Sequence, residues 1–342
     1  MRKAEANPPY PLIALCGPTA SGKSALGLRL AELLNGEIIN YDSIQVYRGM
    51  DIGSGKVPKE DRRRVPHHLL DVVEPYEAFT AGDYRKLALN EIGRIRDRGN
   101  LPILVGGTGL YLRALLEGLF RGPARSEGLR VRLREITSRR GRTFLHRLLR
   151  RLDPAAAERI HPNDAQKAIR AIEVCVLARQ PISVLHGRGR EGLADFRAIK
   201  VGLNPRREEL YERIDCRVEW MFSAGLLDET CSVLAQKGTG IERGTGPLGA
   251  LGYRQAVRVL EGELSLGEAV SGTQTATRRY AKRQMTWFRR ERDVIWYEGF
   301  GDDPEMQLRI VQGVSQRLPW SSKAGRAALS GPAISTSEGI YS

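Results

Sequence analysis

The sequence predicts an α/β protein in which helices flank a parallel sheet and an all-helical lobe is inserted. Up to about residue 120, short apolar segments typical of buried strands alternate with segments of helical periodicity. From 121 to 194 helical patterns occur without strands. An alternating apolar pattern at 199–203, the period of a strand with one buried face, then indicates a return to the sheet.

The first predicted strand, 12–16, leads into a phosphate-binding loop. Residues 17–24 read GPTASGKS and fit the pattern G-x-x-x-x-G-K-S, and a helical pattern follows. The glycines let backbone N–H groups close around phosphate oxygens, and the start of the helix adds the positive end of its dipole. We therefore expect a P-loop NTPase-like core that binds a diphosphate or triphosphate. Lys23 is expected to neutralise phosphate charge, and the Ser24 hydroxyl to reach a Mg²⁺ ion.

Asp42 follows the second predicted strand, 37–40. Open α/β sheets bind ligands at the carboxyl ends of their strands, so Asp42 is expected to lie near the phosphate loop. Its carboxylate could accept a proton from a substrate or hold Mg²⁺ through water. It could also only cap a turn. The residues themselves leave these three roles open.

Two further strands, 67–73 and 101–105, are predicted on either side of a helix at 79–98. The fourth strand ends in Gly106-Gly107-Thr108, where a P-loop ATPase often has a Mg²⁺-binding Asp. The glycines therefore disfavour an ATPase, and they would let another part of the chain approach the crevice closely.

The lobe is recognised by its composition. Eleven arginines lie between Arg121 and Arg151, against Glu127 and Glu135. Later in the lobe, helical spacing places Gln166 and Arg170 on one face with Lys167 beside them. That face is expected to meet a phosphate backbone, or else to be a solvated surface.

After the return strand at 194–203, a helix is predicted at 210–227, with Arg213 and Arg217 on one face. A glycine-punctuated turn at 249–255 enters another helix. The segment 278–290 has six basic residues, three aromatic residues and no acidic ones. Such a helix suits RNA, because basic side chains neutralise phosphates and rings stack on bases. Its Trp and Phe could instead dock the helix in the core.

These elements predict a catalytic core formed by 1–120 and 195–318, an inserted lobe at 121–194, and a disordered tail at 319–342. The tail is rich in Ser, Gly and Ala and has little periodicity.

The formal net charge of +14 favours a polyanionic partner, nucleic acid first and an anionic membrane second. A solvated basic surface is the alternative. No apolar segment approaches the length of a membrane span, and residues 1–9 lack the apolar centre of a signal peptide. We expect a cytoplasmic protein.

In order and together, these motifs resemble the tRNA dimethylallyltransferase (tRNA isopentenyltransferase) family. The similar blocks extend from about residue 11 to 297 and comprise 17–24, 42–53, 67–71, 106–111, 213–221, 225–229, 251–255 and 278–289. Each block alone is weak, but their order and joint presence are specific. The zinc finger of the eukaryotic branch is missing, so the resemblance is to the bacterial type.

The resemblance implies transfer of a dimethylallyl group from dimethylallyl diphosphate to N6 of adenosine-37, next to the tRNA anticodon. The products would be N6-dimethylallyladenosine and diphosphate. Asp42 would be the general base, Thr19 would contact the diphosphate near the breaking bond, and Arg217 would join Lys23, Ser24 and Mg²⁺ at the leaving group. The implied diphosphate site consists of Gly17, Pro18, Thr19, Ala20, Ser21, Gly22, Lys23, Ser24 and Arg217.

The resemblance and the charge pattern together imply the tRNA contacts. They are Asp42, Ser43, Ile44, Gln45, Thr108, Arg130, Gln166, Lys167, Ala168, Ile169, Arg170, Arg279, Lys282 and Arg283. The expected partners are dimethylallyl diphosphate and the anticodon stem-loop of tRNA. We expect a monomer that needs neither a membrane nor a protein partner.

Three alternatives remain at this point. A small-molecule kinase using ATP explains the phosphate loop but not the basic segments. A prenyltransferase acting on free adenine nucleotides needs no extended basic surface. A non-catalytic RNA-binding protein leaves Lys23, Ser24 and Asp42 without a role.

Overall fold

A computed structural model describes residues 9–236 and 246–318, so the predicted tail at 319–342 lies outside the described residues. The chain divides into two compact units. One, the core unit, contains the described residues up to Leu116 and from Ala194 onward. The other, the lobe, is Glu117–Leu193. The sequence-based boundaries, 120/121 and 194/195, are close to these positions.

The core unit contains one sheet and the helices that cover it. Its strands are β1 (Tyr10–Cys16), β2 (Gly36–Asn40), β3 (His67–His68), β4 (Leu101–Val105), β5 (Phe196–Leu203) and β6 (Val294–Tyr297). With the labels in chain order along the whole chain, its helices are α1 (Lys23–Leu34), α2 (Lys59–Arg64), α3 (Ala81–Asp97), α4 (Gly109–Leu116), α10 (Arg207–Ser223), α11 (Leu226–Leu234), α12 (Tyr253–Leu260), α13 (Leu266–Phe288) and α14 (Pro304–Ser315). A short 3₁₀ helix, Gly246–Gly249, precedes α12.

The sheet is parallel throughout, in the order β3-β2-β4-β1-β5-β6. The central strand β1 places Ile13 beside Ile103 of β4 and Ile199 of β5. Helices cover both faces, which is why the central strands are apolar along nearly their whole length. The predicted class, an α/β protein with a parallel sheet, is confirmed.

Two apolar clusters hold the core unit together. In one, Leu30 of α1 and Ile310 of α14 pack against the sheet. The other joins α10–α13 and also takes in Val46, Tyr47 and Met50. The segment that follows β2 is therefore anchored by three buried side chains, which fixes the position of Asp42 at its start.

The structure corrects several predicted elements. The strand predicted at 67–73 ends after His68, because Leu69 and Asp71 have positive φ angles of 62° and 55°, which interrupt an extended strand. The helix predicted at 210–227 is two helices that meet at Gly225, whose φ is +104°. Strand β6 and helix α14 were not predicted.

The lobe contains α5 (Glu127–Arg140), α6 (Arg142–Leu152), α7 (Pro154–Arg159), α8 (Ala165–Ala178) and α9 (Ile182–Gly187). The whole lobe is described, and it contains no strand. Leu133, Leu145 and Ile172 are among the apolar residues of its own core. Within the described residues, no helix of either unit is long and apolar enough to cross a membrane.

Candidate active site

The phosphate loop connects β1 to α1 in a conformation that requires glycine at both ends of the motif. Gly17 has φ +141°, and a Cβ there would lie 2.9 Å from the carbonyl oxygen of Leu203. Gly22 has φ +82°, and a Cβ there would lie 2.7 Å from the backbone nitrogen of Asp302. Strand β5 and the segment before α14 therefore close around the loop, and any larger residue would force them apart.

Lys23 opens α1 and points back across the loop. Its Nζ donates to the carbonyl oxygens of Gly17 at 3.1 Å and Pro18 at 2.6 Å, and only 9% of the residue is exposed. Burial lowers the pKa of Lys23 to about 8; the nearby Asp42 carboxylate opposes this and the Arg217 guanidinium adds to it. The negative charge of a bound phosphate group would offset this effect of burial, and Lys23 lies beside a phosphate-binding turn where it can contact such a group.

Thr19 is held from two sides. Its backbone N–H donates to Oε1 of Gln284 at 2.8 Å, and its hydroxyl accepts from Nη1 of Arg217 at 3.3 Å. Arg217 comes from α10 and passes over Gly55, where a Cβ would lie 1.7 Å from Nη2. Burial lowers the pKa of Arg217, opposed by the charge of Asp42.

Asp42 lies directly after β2. The side chain of Asn40 accepts from the Asp42 N–H at 3.0 Å and donates to its carbonyl oxygen at 3.3 Å. The Asp42 carboxylate accepts from the Ile44 N–H at 2.9 Å, so the turn-capping interaction exists. Burial raises the pKa of Asp42 above its usual value, although backbone hydrogen bonds from Ile44 and Gln45 and the charges of Lys23 and Arg217 act against this.

The glycines after β4 bring two loops into contact. A Cβ on Gly106 would lie 2.5 Å from the carbonyl carbon of Tyr41, so the Asp42 segment passes directly over it. The Thr108 hydroxyl accepts from the Ser43 N–H at 2.9 Å and donates to the Ser43 hydroxyl at 3.1 Å. The tight fit next to Asp42 explains why this loop lacks side chains at two consecutive positions.

Two cavities meet at these residues. The first, of about 780 Å³, contains the phosphate loop with Lys23 and Ser24. The second, of about 560 Å³, is lined by Arg279 and Arg283 of α13. They share Thr19, Ala20, Asp42, Ser54, Arg217 and Tyr280. A molecule entering from the basic side and a phosphorylated molecule on the loop would thus meet at Asp42 and Thr19.

The exposed face of α13 is basic, as its sequence suggests. Arg279, Lys282 and Arg283 are exposed, whereas Phe288 is fully buried and docks the helix. Trp287 is partly buried and packs on Gly109, with the Arg113 guanidinium 4.4 Å from its ring centre. The docking role therefore applies to both aromatic residues.

In the lobe, the structure narrows the predicted tRNA set. Ala168 and Ile169 are only 2% and 3% exposed and belong to the lobe core, so their side chains are not available to RNA. Arg130 forms two hydrogen bonds with the buried Glu173, at 2.8 and 2.9 Å, and Arg170 a third at 2.7 Å. Gln166 and Lys167 remain exposed on the surface.

Several residues that build the site were not predicted from the sequence. Gln284 reaches the phosphate loop from α13. Glu229 of α11 accepts from the N–H groups of Asp51, Ile52 and Gly53 and so shapes the loop under Arg217. Gly55, which makes room for Arg217, lies in a segment that is visibly rich in glycine. No local pattern in the sequence indicates that Gln284 contacts Thr19 or that Glu229 contacts Asp51, because these residues are far apart in the chain.

Among the described residues, no group of three or more His, Cys, Asp or Glu side chains is arranged as a metal site. The carboxylates of Asp51 and Asp302 in the first cavity are ion-paired with Lys56 and Arg213. A cation in this cavity could use the Ser24 hydroxyl, the ligand's own oxygens and, through water, the Asp42 carboxylate.

A parallel sheet with a phosphate loop between its central strand and α1 defines a P-loop NTPase-like protein. Within that class, the family model described as IPP transferase matches residues 45–291, and the chain belongs to this family. The matched residues begin after the phosphate loop and Asp42.

Relatives named tRNA dimethylallyltransferase agree with this. The protein of Solibacter usitatus is 51% identical over 90% of this chain and 99% of its own, and that of Koribacter versatilis is 54% identical over 88% and 97%. The crystal structure of the tRNA isopentenylpyrophosphate transferase from Bacillus halodurans is similar with a TM-score of 0.64 at 36% identity, covering 93% of this chain and 98% of the other. A eukaryotic dimethylallyltransferase captured acting on tRNA has a TM-score of 0.74 at 26% identity, covering 91% and 80%.

Proposed function

We propose that this protein is a tRNA dimethylallyltransferase that transfers the group from dimethylallyl diphosphate to N6 of adenosine-37, beside the anticodon. The observation that carries the proposal is the meeting of two cavities at Asp42, one ending on the phosphate loop and the other on a basic helix face. The names of the relatives support the same activity. The products are N6-dimethylallyladenosine and diphosphate.

The acceptor is a poor nucleophile, so position and proton removal matter most. An exocyclic adenine amine must approach the allylic carbon in line with the departing diphosphate. Asp42, at the junction of the cavities, accepts a hydrogen bond from this amine and takes its proton as the C–N bond forms. Burial raises its pKa, which makes the carboxylate a stronger base than an exposed aspartate.

The leaving group is received by the phosphate loop. Lys23 and the loop N–H groups stabilise the negative charge that develops on the diphosphate as the C–O bond breaks. Arg217 and Thr19, already hydrogen-bonded to each other, lie on the side of the loop that faces Asp42 and hold the oxygen nearest the breaking bond.

We also propose a role for Mg²⁺ at Ser24. This residue lies in the first turn of α1, is exposed, and lines the same cavity as Lys23. One hydroxyl together with phosphate oxygens and water is a donor set that this hard cation accepts. When bound, the ion would neutralise part of the charge of the diphosphate.

On the RNA side, Arg279, Lys282 and Arg283 bind the phosphate backbone of the anticodon stem-loop. Adenosine-37 must leave its stack to reach Asp42, as in other enzymes that modify a base. In the lobe, Gln166 and Lys167 are the exposed members of the segment expected to contact tRNA. We further propose that the enzyme acts as a monomer in the cytoplasm.

One incubation tests the proposal against its alternatives. The protein is mixed with radiolabelled dimethylallyl diphosphate and Mg²⁺, and with bulk tRNA, with AMP or with no acceptor. Label is expected in tRNA alone, and digestion to nucleosides is expected to show N6-dimethylallyladenosine. Label in AMP would indicate a free-nucleotide prenyltransferase. With no transfer in any tube, the proposed activity would be abandoned.

A further inference from the structure

Helix α13 has an exposed basic face and an inner face that packs against the loops of the site. Its outer face exposes Arg279, Lys282 and Arg283. Its inner face, one helical turn apart at each step, carries Tyr280, Gln284 and Trp287 toward the glycine loop after β4. RNA bound to the outer face would therefore contact the same helix whose inner face reaches the phosphate loop.

Gln284 is the inner residue that reaches the phosphate loop. Its Oε1 accepts from the Thr19 N–H at 2.8 Å, and its Nε2 donates to the Gly107 carbonyl oxygen at 2.9 Å. The residue is 5% exposed. One amide therefore ties α13 to both loops that end the neighbouring strands β1 and β4.

Both hydrogen bonds need a primary amide of this length. A carboxylate could accept from Thr19 but could not donate to Gly107, and a thioether could do neither. The fit is also tight, because a Cβ on Gly107 would lie 2.4 Å from the Gln284 nitrogen. Burial in such a space makes loss of either hydrogen bond costly.

The contact determines how Thr19 faces the reaction. With its N–H held by Gln284, its hydroxyl is directed to Arg217 at 3.3 Å, on the side where the two cavities join. Helix α13 thus holds the Thr19 backbone and helix α10 its hydroxyl, so a shift of either helix would disturb the contacts of Thr19. Small displacements at a reacting centre reduce rates strongly.

We propose that Gln284 is a positioning residue that holds Thr19 in its reactive place and couples RNA binding on α13 to donor binding on the phosphate loop. The inference rests on the proposed function. RNA on the outer face favours one position of α13, and that position satisfies the Gln284 bridge to the loop. Because such coupling is reciprocal, donor binding must tighten RNA binding by the same factor.

The test compares Gln284→Met, of similar length but without both hydrogen bonds, with the wild type. The affinity for a thio analogue of dimethylallyl diphosphate that does not react is measured with and without a synthetic anticodon stem-loop. In the wild type the RNA should tighten binding at least about fivefold, the lower range of typical couplings. In Gln284→Met the ratio should fall to about one, with RNA affinity changed less than about threefold.

The matched control is Gln274→Met. Gln274 lies on the same helix, but its amide donates to Asp215 and Glu219 and does not reach the loops. It should keep the wild-type ratio. If Gln284→Met does not fold, Gln284→Asn, which is too short to span both loops, takes its place with the same expectation.

A ratio of one in the wild type, or an unchanged ratio in the Gln284 variant, overturns the inference. Transfer assays run in parallel separate this from failure of the proposed function. If the wild type modifies tRNA but shows no coupling between RNA binding and donor binding, only the role of Gln284 is contradicted. If the wild type transfers nothing, the proposed function itself is contradicted.

Discussion

At the scale of single residues, the site brings together one carboxylate and two cations whose charges depend on each other. Burial raises the pKa of Asp42 and lowers the pKa values of Lys23 and Arg217, while the opposite charges partly restore each of them. Burial and attraction therefore work against each other in all three groups. A bound diphosphate would add negative charge beside Lys23 and Arg217 and stabilise their cationic forms.

Asp42→Asn tests the role of the base. The variant keeps the shape and an acceptor oxygen but loses basicity, so its single-turnover rate should fall by about 10² to 10⁴-fold. Binding of tRNA and dimethylallyl diphosphate should stay near that of the wild type. If high Mg²⁺ instead restores the rate, Asp42 holds the metal through water and is not the base.

Lys23→Ala tests the leaving-group side. Loss of this cation should cost on the order of 3 kcal/mol in transition-state stabilisation, measured as kcat/KM for the donor. The affinity for tRNA should hardly change, because Lys23 is buried and lines the first cavity but not the second. An equal loss of tRNA affinity would show that the residue supports the structure as a whole.

The pKa of Lys23, about 8, also predicts a pH dependence of donor binding. In the proposed site the charged ammonium group binds the diphosphate, and above pH 8 the unliganded protein loses that charge. Donor affinity, measured by titration without RNA, should therefore change little between about pH 7 and 7.5 and weaken toward tenfold per pH unit above about 8.5. In Lys23→Ala this decline should be absent, and a flat wild-type profile up to pH 9.5 would contradict the assignment.

At the scale of elements, the loop between β2 and α2 positions Arg217. The Glu229 carboxylate accepts hydrogen bonds from three consecutive N–H groups of this loop and from the Tyr253 hydroxyl, the latter at 2.6 Å. The loop then turns at Gly55, with φ +60°, directly beneath the guanidinium. This backbone turn leaves room for the Arg217 guanidinium, which also donates to the Thr19 hydroxyl.

Gly55→Ala should displace Arg217, because the added Cβ would lie 1.7 Å from Nη2 and the φ angle disfavours alanine. We expect kcat/KM for the donor to fall by about 10²-fold, as when one oxyanion donor is removed. The control is Gly93→Ala in α3, where a Cβ meets nothing within 4 Å and activity should be unchanged. Wild-type kinetics in Gly55→Ala would mean that Arg217 is dispensable.

In the lobe, α5 and α8 are joined through Glu173. Burial alone would raise the pKa of this carboxyl, but hydrogen bonds from Arg130, Arg170 and the Ser126 N–H outweigh it and hold the pKa at about 2. The carboxylate is fully buried, so its partners depend on it.

Glu173→Gln should therefore destabilise the lobe by about 1 to 3 kcal/mol, measured by thermal unfolding or hydrogen exchange at pH 7. A carboxyl with a lowered folded pKa stabilises at pH values above its unfolded pKa, and this contribution is lost as the pH falls from about 4.5 to 2. The difference between variant and wild type should narrow in that window. Glu135→Gln, on the exposed side of α5, should change little.

Sequence patterns predicted the elements that are determined by residues close together in the chain. The phosphate loop, the apolar strands β1 and β4 and the basic α13 follow from motif, burial and periodicity. Strand β3 was predicted too long because the two positive φ angles after His68 arise from contacts such as the Asn40 amide donating to the Leu69 carbonyl at 3.0 Å. Gln284, Glu229 and the pairing of Arg130 with Glu173 likewise depend on distant partners, which composition and spacing do not encode.

At the scale of the whole molecule, some of the positive side chains are neutralised by ion pairs within the chain and others are not. Part of the arginine-rich lobe segment is internally neutralised, as Arg130 and Arg134 pair with Glu173 and Glu127. By contrast, Arg279, Lys282 and Arg283 make no ion pair within the described residues and are exposed beside the second cavity. Net charge thus indicated the class of partner, but only the structure shows which cations are available to it.

Salt dependence tests where the polyanion binds. Each neutralised phosphate releases counterions, so log affinity for tRNA should fall linearly with log salt concentration. The double variant Lys282→Ala/Arg283→Ala should reduce that slope by about one to two, since each lost phosphate contact removes about one unit. Donor affinity should remain near the wild-type value.

The matched control is Lys86→Ala/Arg309→Ala, which removes the same net charge from exposed positions on α3 and α14. If RNA binds locally on α13, the control should keep the wild-type slope. If both double variants lose the same slope, RNA responds to the overall field of the protein, because distant charges act only through long-range attraction. An unchanged slope in the Lys282 and Arg283 variant would show that α13 does not bind RNA. The second cavity would then not be the route by which RNA reaches Asp42.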